Sequence, residues 1–146
     1  MTQDLIQTTA AGLARLYAKG KASPVETMKA VLARADAVNP RINALCRIDG
    51  KESLAAARAS ERRWKKDKPL SPLDGVPVSI KELVRAKGWP HSLGSQLTDK
   101  TPATEDAPAV ARLREAGAIV FAQSTSSEYG HKRSEERRVG KECRIG

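Results

Sequence analysis

Lys81 closes the segment Leu73-Asp74-Gly75-Val76-Pro77-Val78-Ser79-Ile80-Lys81-Glu82, and no other residue of this 146-residue chain stands where its chemistry would change so much. Val76, Val78 and Ile80 alternate with Pro77, Ser79 and Lys81, the period-two pattern of a strand with one apolar side. Gly75 ahead of the run marks a turn or a close backbone approach. An ammonium group is least comfortable at the end of such a segment, because burial disfavours its charged form. Taken alone, the pattern reads as an edge strand ending in a solvated lysine.

The other polar residues suggest less. Ser79 shares the lysine's side of the strand and reads as a local hydrogen-bond partner rather than a nucleophile. Glu82 reads as a poor candidate acid. His91 and His131 have no partner at metal-ligand spacing and are expected in solvent. Cys46 and Cys143 are too few and too far apart for a disulfide scaffold or a zinc site, and read as unpaired thiols in a reducing cytoplasm. No metal and no cofactor is expected.

The elements that must hold Lys81 are of two kinds. Leu13, Leu16 and Tyr17 recur at helical spacing within residues 10–19, and Gly20 suits a C-terminal cap. Ser23-Pro24-Val25-Glu26 is a helix start, with a capping serine, proline at the first position and a glutamate to close a capping box. Val25, Met28, Leu32 and Ala35 form the apolar stripe of that helix, and Asn39-Pro40 is expected to end it. Residues 42–48 are ambiguous between strand and loop. An alanine-rich helix is expected from about Glu52 to Lys66, followed by the connector Lys68-Pro69-Leu70-Ser71-Pro72. After the lysine strand, glycine and proline predict irregular structure from Gly88 to Pro102. Glu105-Asp106-Ala107-Pro108 then opens a helix carrying Val110, Leu113 and Arg114, which Gly117 stops. Ala118-Ile119-Val120-Phe121-Ala122 reads as a strand buried on both faces. A helix leading straight into a buried strand is the rhythm of an α/β protein.

Composition limits the alternatives. The chain is 40% hydrophobic and 3% aromatic, so its core must be built mainly from Ala, Val, Leu and Ile. No run approaches the roughly 18 apolar residues of a membrane span. The opening Met1-Thr2-Gln3-Asp4 lacks the charged and apolar segments of a secretory signal, and a cytoplasmic location is expected. The net charge of +9 clusters in part at Arg62, Arg63, Lys65, Lys66 and Lys68. That cluster reads as a solvated helix end, where cations favour the macrodipole. The alternative is a basic nucleic-acid-binding module, marked by steeply salt-dependent binding that disappears when the five charges are neutralised.

Three segments follow in order: Gly75-Val-Pro-Val-Ser-Ile-Lys-Glu82, then Glu105 to Ala118, then Ser124-Thr-Ser-Ser-Glu-Tyr-Gly130. This series resembles the amidase signature family, hydrolases that cleave carboxamide C–N bonds, and the resemblance covers residues 5 to 132. It implies an α/β fold in which N-terminal helices precede the start of a mixed β-sheet core, here truncated. It also implies that Lys81 is the general base of a Ser–cis-Ser–Lys triad acting on a small-molecule amide, and that Tyr129 and Gly130 lie near the substrate pocket. The chemistry suits lysine. With a pKa of about 10.4, a free lysine is neutral only about once in 2,500 molecules at pH 7. Poising it near neutrality takes roughly 4–5 kcal/mol, within the reach of burial, whereas arginine stays charged. In the family a bridging serine relays the proton, a second serine attacks the amide carbon, and a glycine-rich loop stabilises the oxyanion.

The family pattern breaks off after Lys132. The Gly-Gly-Ser-Ser-Gly-like segment that supplies the bridging serine is absent from the sequence, and Ser124, Thr125, Ser126 and Ser127 lack the flanking glycines to replace it. Residues 133–146, opening Arg133-Ser-Glu-Glu-Arg137, resemble a translated sequencing adapter and are expected to be non-native, leaving residues 1–132 as an incomplete amidase domain. The tail holds five basic and three acidic residues, so it supplies +2 of the +9. The chain alone is therefore expected to be inactive. A second family reading is the glutamine-hydrolysing subunit of a tRNA-dependent amidotransferase. Such subunits would carry an Asn-Met-Asp-Glu-Phe-like loop where this chain has Thr125-Ser-Ser-Glu-Tyr129, which favours a stand-alone amidase. No membrane or nucleic-acid partner is expected, and neither the substrate nor the oligomeric state is specified.

Overall fold

Capping chemistry sets the helices that precede the sheet. A computed structural model describes residues 2–131. Its first half runs α1 (Thr2–Gln7), α2 (Ala10–Ala18), α3 (Pro24–Ile42), β1 (Leu45–Ile48) and α4 (Gly50–Lys65). At the start of α3 the Glu26 N–H donates to the Ser23 hydroxyl at 3.1 Å, and the Ser23 N–H donates to the Glu26 carboxylate at 2.8 Å. This is the reciprocal capping box that the sequence predicts, with Pro24 at a position that needs no donor. Val25, Met28, Leu32 and Ala35 all reach the core, as the helical stripe requires.

The end of α3 departs from expectation. The helix runs through Pro40 to Ile42 instead of stopping at Asn39. Proline there removes only one hydrogen bond, in the last turn, and Asn39 offers compensating ones. Its carbonyl accepts the Asn43 N–H at 2.7 Å. Its side-chain amide brackets Leu45, donating to the carbonyl at 2.9 Å and accepting the N–H at 2.8 Å. Asn43, left-handed at φ 48°, then ends the helix. The ambiguous stretch before residue 48 resolves into β1 from Leu45. Helix α4 begins two residues earlier than expected, because the Asp49 carboxylate caps it by accepting the Glu52 N–H at 3.2 Å.

The second half adds β2 (Pro77–Lys81), α5 (Pro108–Glu115), β3 (Ile119–Ser124) and a 3₁₀ turn at Glu128–Gly130. The three strands lie in the order β1-β3-β2, with β3 antiparallel to β1 and parallel to β2. The fold is a mixed α/β structure, as expected. Strand β3 is central and covered on both faces. Ile119, Phe121 and Ala122 pack with Met28 and Ala57 of the helices. Val120 packs against the cluster of Ile80, Ala86, Trp89 and Val110. The stretch from Gly88 to Pro102 is irregular, pinned by single bridges between Lys87 and Ala103 and between Pro90 and Pro102.

The turn that launches β2 is tightly held. Gly75 has φ +85°, and a Cβ there would lie 2.6 Å from the Ser60 hydroxyl and 2.7 Å from the Pro24 ring. The close approach that glycine signals is therefore real. Asp74 beside it is fully buried and takes a two-pronged hydrogen bond from Arg63, at 2.7 and 2.6 Å. Lys65 pairs with Glu61 at 3.1 Å. Two of the five clustered cations are thus committed to carboxylates. Residues 133–146, Cys143 among them, lie outside the described residues. No helix among the described residues is long and apolar enough to cross a membrane.

Candidate active site

Lys81 is the last residue of β2, exposed at the carboxyl end of the strand, with Ser124 as its register partner on the central strand. Its carbonyl accepts the Val84 N–H at 2.8 Å, so the chain turns away as the strand ends. Ser124 directs its hydroxyl toward the Ile80 carbonyl, at a long 3.5 Å. Ser79 is exposed like Lys81. Among the described residues its hydroxyl has no hydrogen-bond partner, so the local role expected for it is not seen.

Glu82 is the residue that sequence reasoning undervalued. It is only 6% exposed although it follows an exposed lysine. Its N–H donates to the Ser124 carbonyl at 3.0 Å. Its carboxylate accepts the Ser126 N–H at 2.7 Å and the Ser126 hydroxyl at 3.1 Å. The end of β2 and the loop leaving β3 are thereby tied together across Thr125. Thr125 is held on the β1 side, where its N–H donates to the Ala44 carbonyl at 2.9 Å.

The far side of this loop is fixed by the irregular stretch. The Ser95 hydroxyl donates to the Glu128 carboxylate at 2.6 Å, and the Tyr129 N–H donates to the Leu93 carbonyl at 2.7 Å. Gly94 has φ +68°, and a Cβ there would come within 2.8 Å of the Ser127 carbonyl, so only glycine permits this contact. Tyr129, expected near a pocket, is 60% exposed and left-handed at φ 49°. Gly130, the other such candidate, is exposed at φ +67°, its Cα against Leu83. Both stand on the 3₁₀ turn of the clamped loop, on the same side of the fold as the end of β2.

Two further side chains border this cluster. Cys46 is a free, exposed residue whose thiol donates to the Gln123 carbonyl at 3.4 Å. Partial burial of the sulfur, and then the nearby Glu82 carboxylate, push its pKa up. His91 is not simply solvated, as its sequence context suggested. It is half-buried, and its Nε2 lies 2.9 Å from the Leu83 carbonyl, a hydrogen bond that fixes the turn after Glu82. His131 is exposed. No cluster of metal-ligating side chains occurs among the described residues. What the arrangement offers chemically is an accessible amine at a strand end, beside a rigid loop rich in hydroxyls.

Comparison with known proteins adds a family to this geometry. Residues 26–141 match the family model described as Amidase, a match that continues past Lys132. A glutamyl-tRNA(Gln) amidotransferase subunit from Salinispora arenicola is 37% identical over 126 residues, covering 86% of this chain and 26% of that protein. The indoleacetamide hydrolase of Bradyrhizobium diazoefficiens is 40% identical over 123 residues, covering 84% of this chain and 24% of that one. Among solved structures, native peptide amidase from Stenotrophomonas maltophilia superposes with a TM-score of 0.77 at 29% identity, over 84% of this chain and 25% of its own. The chain thus spans about a quarter of the length of the proteins it matches.

Proposed function

The chain belongs to the amidase family, and from that premise we propose that it is the segment supplying the general base of an amide-hydrolysing enzyme, with Lys81 as that base. The observation that carries this reading is the position of Lys81 at the carboxyl end of β2, paired with Ser124 and followed by Glu82, which fastens the loop leaving β3. Strand ends of this kind place a side chain accurately while leaving its tip free to meet substrate. Neutral Lys81 accepts a proton, through a serine relay, from the serine that attacks the amide carbonyl. The resulting acyl-enzyme is then released by water.

The exposure of Lys81 fits a segment that is one wall of a larger site. The Gly-Gly-Ser-Ser-Gly-like segment of the relay is not found in these residues, so no amide turnover is expected from the 146-residue chain by itself. Tyr129 and Gly130, on the clamped loop, contribute to the wall of the amide pocket.

A second reading has its own support. The amidotransferase relative from Salinispora arenicola, at 37% identity, favours a glutamine-hydrolysing subunit. The two readings separate on ammonia release by the full-length protein that carries this segment. A stand-alone amidase hydrolyses simple aryl or peptide amides without partners. A glutaminase subunit releases ammonia from glutamine and is stimulated by its partner subunits. Ammonia from neither class of substrate would remove both readings.

A further inference from the structure

The buried carboxylate of Glu82 has no role in proton transfer by lysine, yet it occupies the position next to the proposed base. Both of its strong contacts are to Ser126, 44 residues along the chain: the N–H at 2.7 Å and the hydroxyl at 3.1 Å. No ion pair involves it among the described residues. A buried carboxylate without a cation carries a desolvation cost, which its hydrogen bonds must offset. A buried carboxylate spent on one short bond and one longer bond to a single residue is a costly way to fasten a surface loop, and it makes sense where the loop's position matters.

The loop they hold has little freedom left. Ser95 grips Glu128 at 2.6 Å and Leu93 holds the Tyr129 N–H at 2.7 Å. A Cβ at Gly130 would lie 2.9 Å from the Leu83 side chain, so the loop rests directly on the turn that Glu82 begins. Glu82 joins this loop to the strand of Lys81 through a single residue. Release of the carboxylate would free Ser126, while Thr125 stays on the Ala44 carbonyl and the Ser95 and Leu93 contacts keep the far end attached.

We propose that Glu82 is a positioning residue of the active site, which holds the 124–130 loop at a fixed place against the strand end carrying Lys81 and so sets where the amide substrate binds. This inference rests on the reading of Lys81 as the base. It goes beyond that reading in assigning substrate placement to Glu82 and Ser126.

The test uses the full-length protein and three variants: Glu82→Gln, Ser126→Ala and, in parallel, Lys81→Arg. Glu82→Gln keeps the shape of the side chain and removes its charge. Hydrogen exchange at the amides of residues 126–129 should accelerate about tenfold in Glu82→Gln, with exchange in β3 unchanged. KM for the amide should rise about tenfold or more, while kcat and the pH dependence of kcat change far less. Ser126→Ala, which loses only the hydroxyl bond, should shift KM in the same direction by a smaller factor. Unchanged exchange in the loop overturns the proposal, and so does an unchanged KM with loss of kcat or of folded protein alone. An active Lys81→Arg enzyme would sink the base reading, while the exchange measurement would still report on the Glu82 clamp. An inactive Lys81→Arg beside an unaltered Glu82→Gln would sink the clamp alone.

Discussion

The Arg63 guanidinium reaches from the last turn of α4 to both carboxylate oxygens of Asp74, at 2.6 and 2.7 Å. The same carboxylate accepts the Leu70 N–H at 3.0 Å, and the Asp74 carbonyl accepts the Trp64 indole N–H at 2.9 Å. Helix, connector and strand start are thus gathered on one residue, three positions before β2 begins. Through it, the end of α4 determines where Lys81 emerges.

Removing Arg63 should therefore cost more than a surface charge would. Arg63→Ala leaves a fully buried carboxylate without its cation, and should lower stability by roughly 3 kcal/mol, read as a shift in the midpoint of denaturant unfolding. Burial pushes the Asp74 pKa up, but the bonds from Arg63 and Leu70, with the Arg63 charge, outweigh it and hold the carboxyl below the ordinary range. A depressed pKa means that this stabilisation is present above the unfolded pKa of about 3.9 and is lost as pH falls through the lower folded value. In Arg63→Ala, the loss of stability on acidification through this carboxyl should shrink, because burial then opposes the charged form with no cation beside it.

Two glycines with similar backbones should respond differently to alanine. Gly20, at φ +62°, has nothing within 4 Å of an added Cβ. Alanine there carries only the left-handed strain, about 1 kcal/mol. Gly75, at φ +85°, adds contacts of 2.6 to 2.8 Å with Ser60 and Pro24. Its alanine variant should be less stable than the Gly20 variant by a further 1–3 kcal/mol or so, because a packed helix start cannot yield without moving α3. Equal melting temperatures for the two variants would show that the turn is looser than described.

Cys46 offers a direct report on the charge of Glu82. With Cys143 replaced by serine, alkylation at pH 8 should be slower than for an unfolded thiol, since burial and the carboxylate both raise the Cys46 pKa. Glu82→Gln should move the reactivity profile to lower pH, though only in part, because burial remains. A raised folded pKa means that the stabilisation is complete below the unfolded value of about 8.5 and fades as pH rises through the folded one. A reactivity profile unmoved by Glu82→Gln would place the carboxylate too far from the sulfur to matter.

Local chemistry was the readable part of the sequence. The Ser23 box, the turn signalled by Gly75 and the buried run are each written in residues close together in the chain, and each appears, the run as a strand shifted to Ile119–Ser124. The continuation of α3 past Pro40 was not legible, because it depends on an asparagine side chain meeting a strand that follows the helix. Nor was the role of Glu82. Its partner Ser126 lies in a loop whose serines resemble any polar connector, and only the parallel pairing of β2 with β3 brings the two together. The exposure of Lys81 matches the local reading of a strand ending in a solvated lysine, but the cover that a base needs was not legible. An alternating strand shows which side a residue faces, not what covers that side.

Whether Lys81 acts as a base is tested most directly by Lys81→Arg in the full-length protein. Arginine keeps the positive charge and much of the side-chain length but stays protonated near neutral pH. With folding verified by an unchanged melting temperature, kcat for amide hydrolysis should fall by about 10²- to 10⁴-fold. A kcat within about twofold of the parent enzyme would contradict the assignment and leave Lys81 as a surface lysine at the end of a strand.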